Sequence, residues 1–166
     1  PAVYGHEAAG FISKIGDAVK GFEIGDRVVV TLIKSCGNCN NCSEGNPTIC
    51  EDNSNAGPPI LSLKGKTIQQ VMNCGAFAEK VVVDQSQIVK LNTDLNLATA
   101  SLLACGVITG IGAVVNAAKL RPGQDVVVIG AGGVGLNAIQ GARIAGARRI
   151  VAVDTNNDKL AAAKEF

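Results

Sequence analysis

A chain of 166 residues, 47% of them apolar, is long enough for one ordinary domain or for parts of two. A formal net charge of +1, with no long run of Lys or Arg, argues against nucleic acid or a membrane surface as the main partner. No apolar stretch approaches the roughly 18 residues needed to span a bilayer, and no secretory h-region is visible, so a cytoplasmic protein is the expectation.

Residues 1–33 alternate short apolar runs with glycine, and 9–12 and 27–33 read as strands with 23–26 as a turn between them. This is the pattern of a β-rich, glycine-cornered small barrel. Residues 34–66 read mostly as loop, first a cysteine lobe at about 34–52 and then a polar stretch containing Gly57-Pro58-Pro59. Two further strands are expected at 76–83 and 88–91, joined through 84–87.

Within the lobe, Cys36, Cys39, Cys42 and Cys50 are spaced C-x2-C-x2-C-x7-C, separated mainly by Gly, Asn, Ser and Pro. That composition buries no core of its own and needs a cross-link to hold a shape. Four thiolates suit one tetrahedral Zn2+ at Zn–S distances of about 2.3 Å, a closed and therefore structural site. Two disulfides are the alternative, a solution suited to small secreted scaffolds rather than to a long Val-, Ile- and Ala-rich chain. Cys74 stands apart as a core or free thiol.

Beyond residue 94 the pattern changes. Residues 94–103 and 108–119 carry apolar side chains at helical spacing, and 121–124 form a turn. Residues 125–129 are a nearly continuous apolar run, as expected of a parallel strand buried on both faces. A helix over 136–145, a second buried strand at 149–154 and a helix from 156 to 166 complete a strand–helix–strand–helix unit.

Between that first strand and its helix lies Gly130-Ala131-Gly132-Gly133-Val134-Gly135, a G-x-G-x-x-G pattern, with Asp154 about 20 residues further on at the end of the next strand. In a dinucleotide site Gly130 makes the tight turn, Gly132 admits the pyrophosphate and Gly135 lets helix pack on strand. The helix N-terminus offers free N–H groups to phosphate. Asp154 would accept hydrogen bonds from the adenosine ribose, and its charge would oppose a 2′-phosphate, favouring NAD over NADP. The competing reading is a glycine-rich turn of another α/β protein, with Asp154 capping the following helix. Lys159 either reaches the same ribose or is a solvated helix lysine.

His6, the chain's single histidine, sits in Gly5-His6-Glu7 with Gly10 close behind. The stretch G-H-E-x2-G-x5-G-x2-V, from Gly5 to Val19, resembles the signature of the zinc-containing medium-chain alcohol dehydrogenases. The cysteine lobe resembles that family's structural zinc loop, and Leu103-Ala104-Cys105-Gly106-Val107-Ile108-Thr109-Gly110 resembles its segment carrying a further catalytic zinc ligand. Four motifs in the family's order cover essentially the whole chain.

The resemblance implies a GroES-like catalytic domain at 1–105 followed by the first part of a Rossmann NAD-binding domain at 106–166, an α/β and β architecture. It implies His6 and Cys105 as catalytic zinc ligands and Glu7 as a carboxylate near the metal. Thr109 and Val134 would lie along the nicotinamide ring, and Gly130, Gly132, Gly133, Gly135, Asp154 and Lys159 in the rest of the NAD site. The implied reaction is reversible oxidation of an alcohol to an aldehyde or ketone by a homo-oligomeric enzyme. The family pattern also places a cysteine and a proton relay upstream of the G-H-E motif. Residues that would fill those places precede Pro1, so an internal piece of a longer protein, inactive alone, is the expectation. Within the family, an S-(hydroxymethyl)glutathione (formaldehyde) dehydrogenase or an aryl-alcohol enzyme is the alternative. Outside it, a non-catalytic zinc-binding interaction module would predict a basic or aromatic face near the cysteines, where only Lys34 lies.

Overall fold

Val28, Val29 and Val30 are consecutive β-branched residues, stiff at χ1 and suited to a strand that packs on both sides. In the computed structural model, which describes residues 1–52 and 61–166, they lie in the middle strand of an antiparallel sheet and are all buried. The chain divides into two units, Pro1–Ala104 and Cys105–Phe166.

The first unit holds two three-stranded sheets. Strand β3 (Arg27–Val30) pairs antiparallel with β2 (Ala8–Phe11) on one side and with β6 (Ile88–Lys90) on the other. The second sheet has the order β1–β5–β4, with β1 (Ala2–Val3) parallel to β5 (Lys66–Gln70) and β4 (Leu61–Leu63) antiparallel to it. A short helix α1 (Asn40–Ser43) lies in the cysteine lobe. Helix α2 (Leu97–Ser101), capped by the Asn96 side chain, lays Ala100 and, one turn on, Ala104 against Val29. Beneath β3, the fully buried Gln87 donates through Nε2 to the carbonyls of Thr31 (3.1 Å) and Asn73 (3.3 Å), and its Oε1 accepts from Asp84 N–H (3.2 Å). Its carboxamide thus satisfies a loop backbone that has no ladder partner.

In the second unit α3 (Gly106–Gly112), continued by a π-helical turn at Ala113–Ala117, packs against α4 (Gly133–Ile144). The approach is close because both helices present glycine: a Cβ on Gly110 would lie 2.5 Å from the Val134 carbonyl oxygen. Strands β7 (Asp125–Ile129) and β8 (Arg149–Val153) run parallel, and α5 (Asn157–Ala163) follows β8.

Several expectations are corrected. Residues 76–83 form no strand: Ala76 and Phe77 N–H go to Gly5 and Tyr4, and the Val82 carbonyl is taken by the Gln70 side chain, so among the described residues the valines pair with no strand. The strand expected at 27–33 ends at Val30, because Thr31 turns its main chain toward Gln87. The loop expected through residue 66 contains the β4–β5 hairpin; Gly57-Pro58-Pro59 lie outside the described residues. Residues 125–129 are expected to be buried on both faces and 149–154 to form a second buried strand. Instead Val127, Ile129, Val151 and Val153 form one exposed face, with Ile129 84% exposed, because only the opposite side chains meet α4. The helices expected at 94–103, 108–119 and 156–166 are shorter or change type at their ends, while α4 starts earlier than 136. Among the described residues no single helix is long and apolar enough to cross a membrane.

Candidate metal and dinucleotide sites

The cysteine lobe closes on itself through local turns. Cys39 N-caps α1, Gly45 takes the left-handed conformation (φ +84°) to end it, and a 3-10 turn at Pro47–Ile49 delivers Cys50. The Sγ atoms of Cys36, Cys39, Cys42 and Cys50 all lie within 4.8 Å of one another, and those of Cys39 and Cys50 are 3.9 Å apart. Four thiolates at tetrahedral Zn–S distances have sulfur–sulfur edges of about 3.8 Å, so this donor set fits one zinc ion. It does not describe two disulfides; all four cysteines are free.

Backbone N–H groups point at the sulfurs: Cys36 N–H donates to Cys50 Sγ and Cys39 N–H to Cys36 Sγ, each at 3.3 Å. The Glu51 N–H beside Cys39 holds that thiol down, to about 6, while partial burial pushes Cys42 up to about 12. N–H donors of this kind favour the thiolate form that metal binding needs. Among the described residues no other group of three or more His, Cys, Asp or Glu side chains is close enough to share a metal.

His6 is half-buried in the loop between β1 and β2. That loop is pinned by Gly5, whose positive φ (+94°) and contact with Phe77 leave no room for a Cβ. Glu7 beside it is exposed. Cys105, in the second unit, precedes α3, and its Sγ lies 3.8 Å from Thr109 Oγ1 one turn along.

The glycine turn forms between β7 and α4. Gly130 takes φ +93° and donates its N–H to Val153 across the sheet at 2.7 Å. Gly132 and Gly133 face open space at the start of α4, where a phosphate would meet unshielded N–H groups. Val134 is exposed in the first turn. Asp154 accepts from Ala131 N–H at 2.8 Å and Asn156 N–H at 2.9 Å. Those two bonds, the Asn156 one first, hold its carboxyl below the usual carboxylate range against partial burial. The helix cap is Asn156, which receives the N–H groups of Asp158 and Lys159, so capping is not the role of Asp154. Lys159 Nζ lies 4.0 Å from Asp154 Oδ2.

Sequence reading overlooked Ala131, whose N–H aims the aspartate back at the turn, and Asn41, whose side chain reaches across the lobe. The first has no side-chain signal, since any residue supplies the N–H. The second was visible only as one of several asparagines in a loop.

Residues 1–93 match the alcohol dehydrogenase GroES-like domain. The chain is 39% identical over 171 residues to alcohol dehydrogenase 6 of Peromyscus maniculatus, covering 99% of this chain and 46% of that protein. It is 39% identical over 174 residues to S-(hydroxymethyl)glutathione dehydrogenase of Synechocystis sp., covering 100% and 47%. Benzyl alcohol dehydrogenase from Acinetobacter calcoaceticus has a similar structure, with a TM-score of 0.87 and 34% identity, across 99% of this chain and 46% of that one. An alcohol dehydrogenase zinc-binding domain protein from Burkholderia ambifaria matches with the same score and identity, over 99% and 47%. The chain thus spans a little under half the length of the relatives it matches.

Proposed function

The chain belongs to the alcohol dehydrogenases with a GroES-like domain, and from that premise we propose that it carries the structural zinc lobe and the start of the nucleotide site of a zinc-dependent, NAD-linked alcohol dehydrogenase. The observation that carries the NAD assignment is Asp154, held by the Ala131 and Asn156 N–H groups at the mouth of the glycine turn. A carboxylate offers roughly four acceptor sites, so Asp154 retains capacity to accept from ribose hydroxyls. A 2′-phosphate would instead meet a fixed negative charge.

The residue roles rest on the family resemblance. His6 and Cys105 are the proposed ligands of a catalytic zinc, with Glu7 as a nearby carboxylate. Bound zinc supplies Lewis acidity toward an alcohol oxygen, and NAD+ supplies the hydride acceptor. Thr109 and Val134 would position the nicotinamide ring. Gly132 and Gly133 leave the main-chain N–H groups of the α4 N-terminus accessible to the pyrophosphate, and Lys159 adds positive charge beside the ribose site. The four-cysteine lobe would hold a second zinc that shapes the loop and touches no substrate.

A second reading, oxidation of S-(hydroxymethyl)glutathione, is favoured by the Synechocystis relative, which matches at the same identity as alcohol dehydrogenase 6. Zinc content and NAD+ reduction, measured on the full-length protein with a panel of primary alcohols and with formaldehyde plus glutathione, test both. Two zincs per chain and alcohol-dependent NAD+ reduction are expected, with NADP+ a poor substitute. Turnover that requires glutathione would select the second reading. Zinc in the lobe with neither dinucleotide binding nor turnover would overturn the enzyme reading in favour of an interaction module.

A further inference from the structure

Seven residues separate Cys42 from Cys50, namely Ser43, Glu44, Gly45, Asn46, Pro47, Thr48 and Ile49, and all of them are exposed. Exposed side chains bury little surface with which to fix where this excursion returns, yet Cys50 must arrive within bonding distance of the same ion as the other three sulfurs. An untethered loop would meet that condition only part of the time, and each lost conformer weakens the site.

One side chain supplies the tether. Asn41 Nδ2 donates to the Ile49 carbonyl at 2.8 Å and to Glu51 Oε1 at 3.2 Å, the two residues that flank Cys50. The Asn41 main-chain carbonyl also accepts from Asn46 N–H at 2.8 Å, midway along the excursion. Within the lobe Cys36 N–H donates to Cys50 Sγ and Cys39 N–H to Cys36 Sγ, each at 3.3 Å. Asn41 itself lies between Cys39 and Cys42 on α1. The short helix that carries Cys42 and starts at Cys39 therefore grips both neighbours of the fourth ligand, Cys50.

We propose that Asn41 is the positioning residue of the four-thiolate site, using its carboxamide to hold Cys50 in register with Cys36, Cys39 and Cys42 and so setting how slowly the lobe releases zinc. The inference rests on the reading of the lobe as a zinc site. Groups that orient metal ligands without binding the metal change affinity by about 10–100-fold when lost. Asparagine suits the task because its NH2 offers two donors from one nitrogen, matching two acceptors on either side of Cys50.

The test uses the full-length, zinc-loaded protein and Asn41→Asp, which keeps the shape, removes both donors and sets a carboxylate against Glu51. Zinc loss to a chelator is followed by alkylation of Cys36, Cys39, Cys42 and Cys50 mapped by mass spectrometry. The expected result is zinc loss from the lobe faster by about 10–100-fold, with Cys50 alkylated first and the urea midpoint of the rest of the protein unchanged. A cadmium-113 resonance typical of four thiolates should broaden or split. The double variant Asn41→Asp with Glu51→Gln swaps donor and acceptor and should recover part of the loss. If Asn41→Asp does not fold, Glu51→Ala carries the test, with faster zinc loss expected from removal of one of the two contacts. Wild-type zinc retention and alkylation order in the informative variant would overturn the role of Asn41 while leaving the zinc site intact. Unprotected thiols and no zinc in the unsubstituted protein would overturn the zinc reading and this inference together.

Discussion

A Cβ placed on Gly135 would lie 1.8 Å from the carbonyl oxygen of Gly130, well inside any non-bonded contact. The turn leaving β7 folds back under the first turn of α4 so closely that backbone fills the space where a side chain would stand. Gly132, three residues earlier, has no atom within 4 Å of such a Cβ and an extended backbone any residue can adopt. The two glycines therefore serve different ends, one packing and one access.

Gly135→Ala should destabilise the protein by about 1–3 kcal/mol or more, because α4 must shift off β7 to admit the methyl group. Gly132→Ala should leave stability within about 0.5 kcal/mol and weaken NAD+ binding instead. Urea unfolding beside NAD+ titration separates the two; equal loss of stability in both variants would contradict this division.

Asp154 makes folding depend on pH in a defined direction. Its folded-state carboxyl titrates below the usual range, first through the Asn156 N–H and then through the Ala131 N–H. The stabilisation is fully present above the unfolded-state value of about 3.9 and is lost as pH falls toward the lower folded-state value. In urea unfolding across pH 2 to 6, Asp154→Asn should flatten the acid limb of the stability profile and leave the neutral region flat. The same variant should bind NAD+ about tenfold or more weakly and discriminate less against NADP+.

Gln87 is 1% exposed and donates to the Thr31 and Asn73 carbonyls, the first of which also accepts from the Cys74 thiol at 3.3 Å. Gln87→Ala should cost about 2–4 kcal/mol, combining unsatisfied carbonyls with a cavity. A loss under about 0.5 kcal/mol in urea unfolding would mean that those groups find other partners.

Chelation of the lobe zinc, or Cys50→Ser, should raise hydrogen exchange at the amides of Ser43, Glu44, Gly45 and Asn46, whose acceptors lie within the lobe. The β2–β3–β6 ladder, held by its own valines and α2, should keep its protection. Simultaneous loss of protection in both would show that the lobe zinc stabilises the whole first unit.

What the sequence determined was chemistry confined to short spans. Cys36, Cys39, Cys42 and Cys50 are close in the chain, and a loop of Gly and Asn between them offers little but a metal to gather around. Gly130 through Gly135 and the strand leading to Asp154 obey spacing set by backbone turns and ligand size, which neighbours elsewhere cannot alter. Fold class was legible for the same reason, through β-branched runs and alternating strand–helix periodicity. Only the tertiary structure decided the rest, because each feature depends on a distant partner. The valines at 81–83 have strand character yet pair with no strand among the described residues, the Val82 carbonyl going to the Gln70 side chain, whereas Lys66–Gln70 finds both β1 and β4. Gln87 is buried because a loop at Thr31 and another at Asn73 meet beside it. Asn41 matters because the chain returns at Ile49 and Glu51, and a hydrogen bond across such a return is settled by where two backbone segments come together in space.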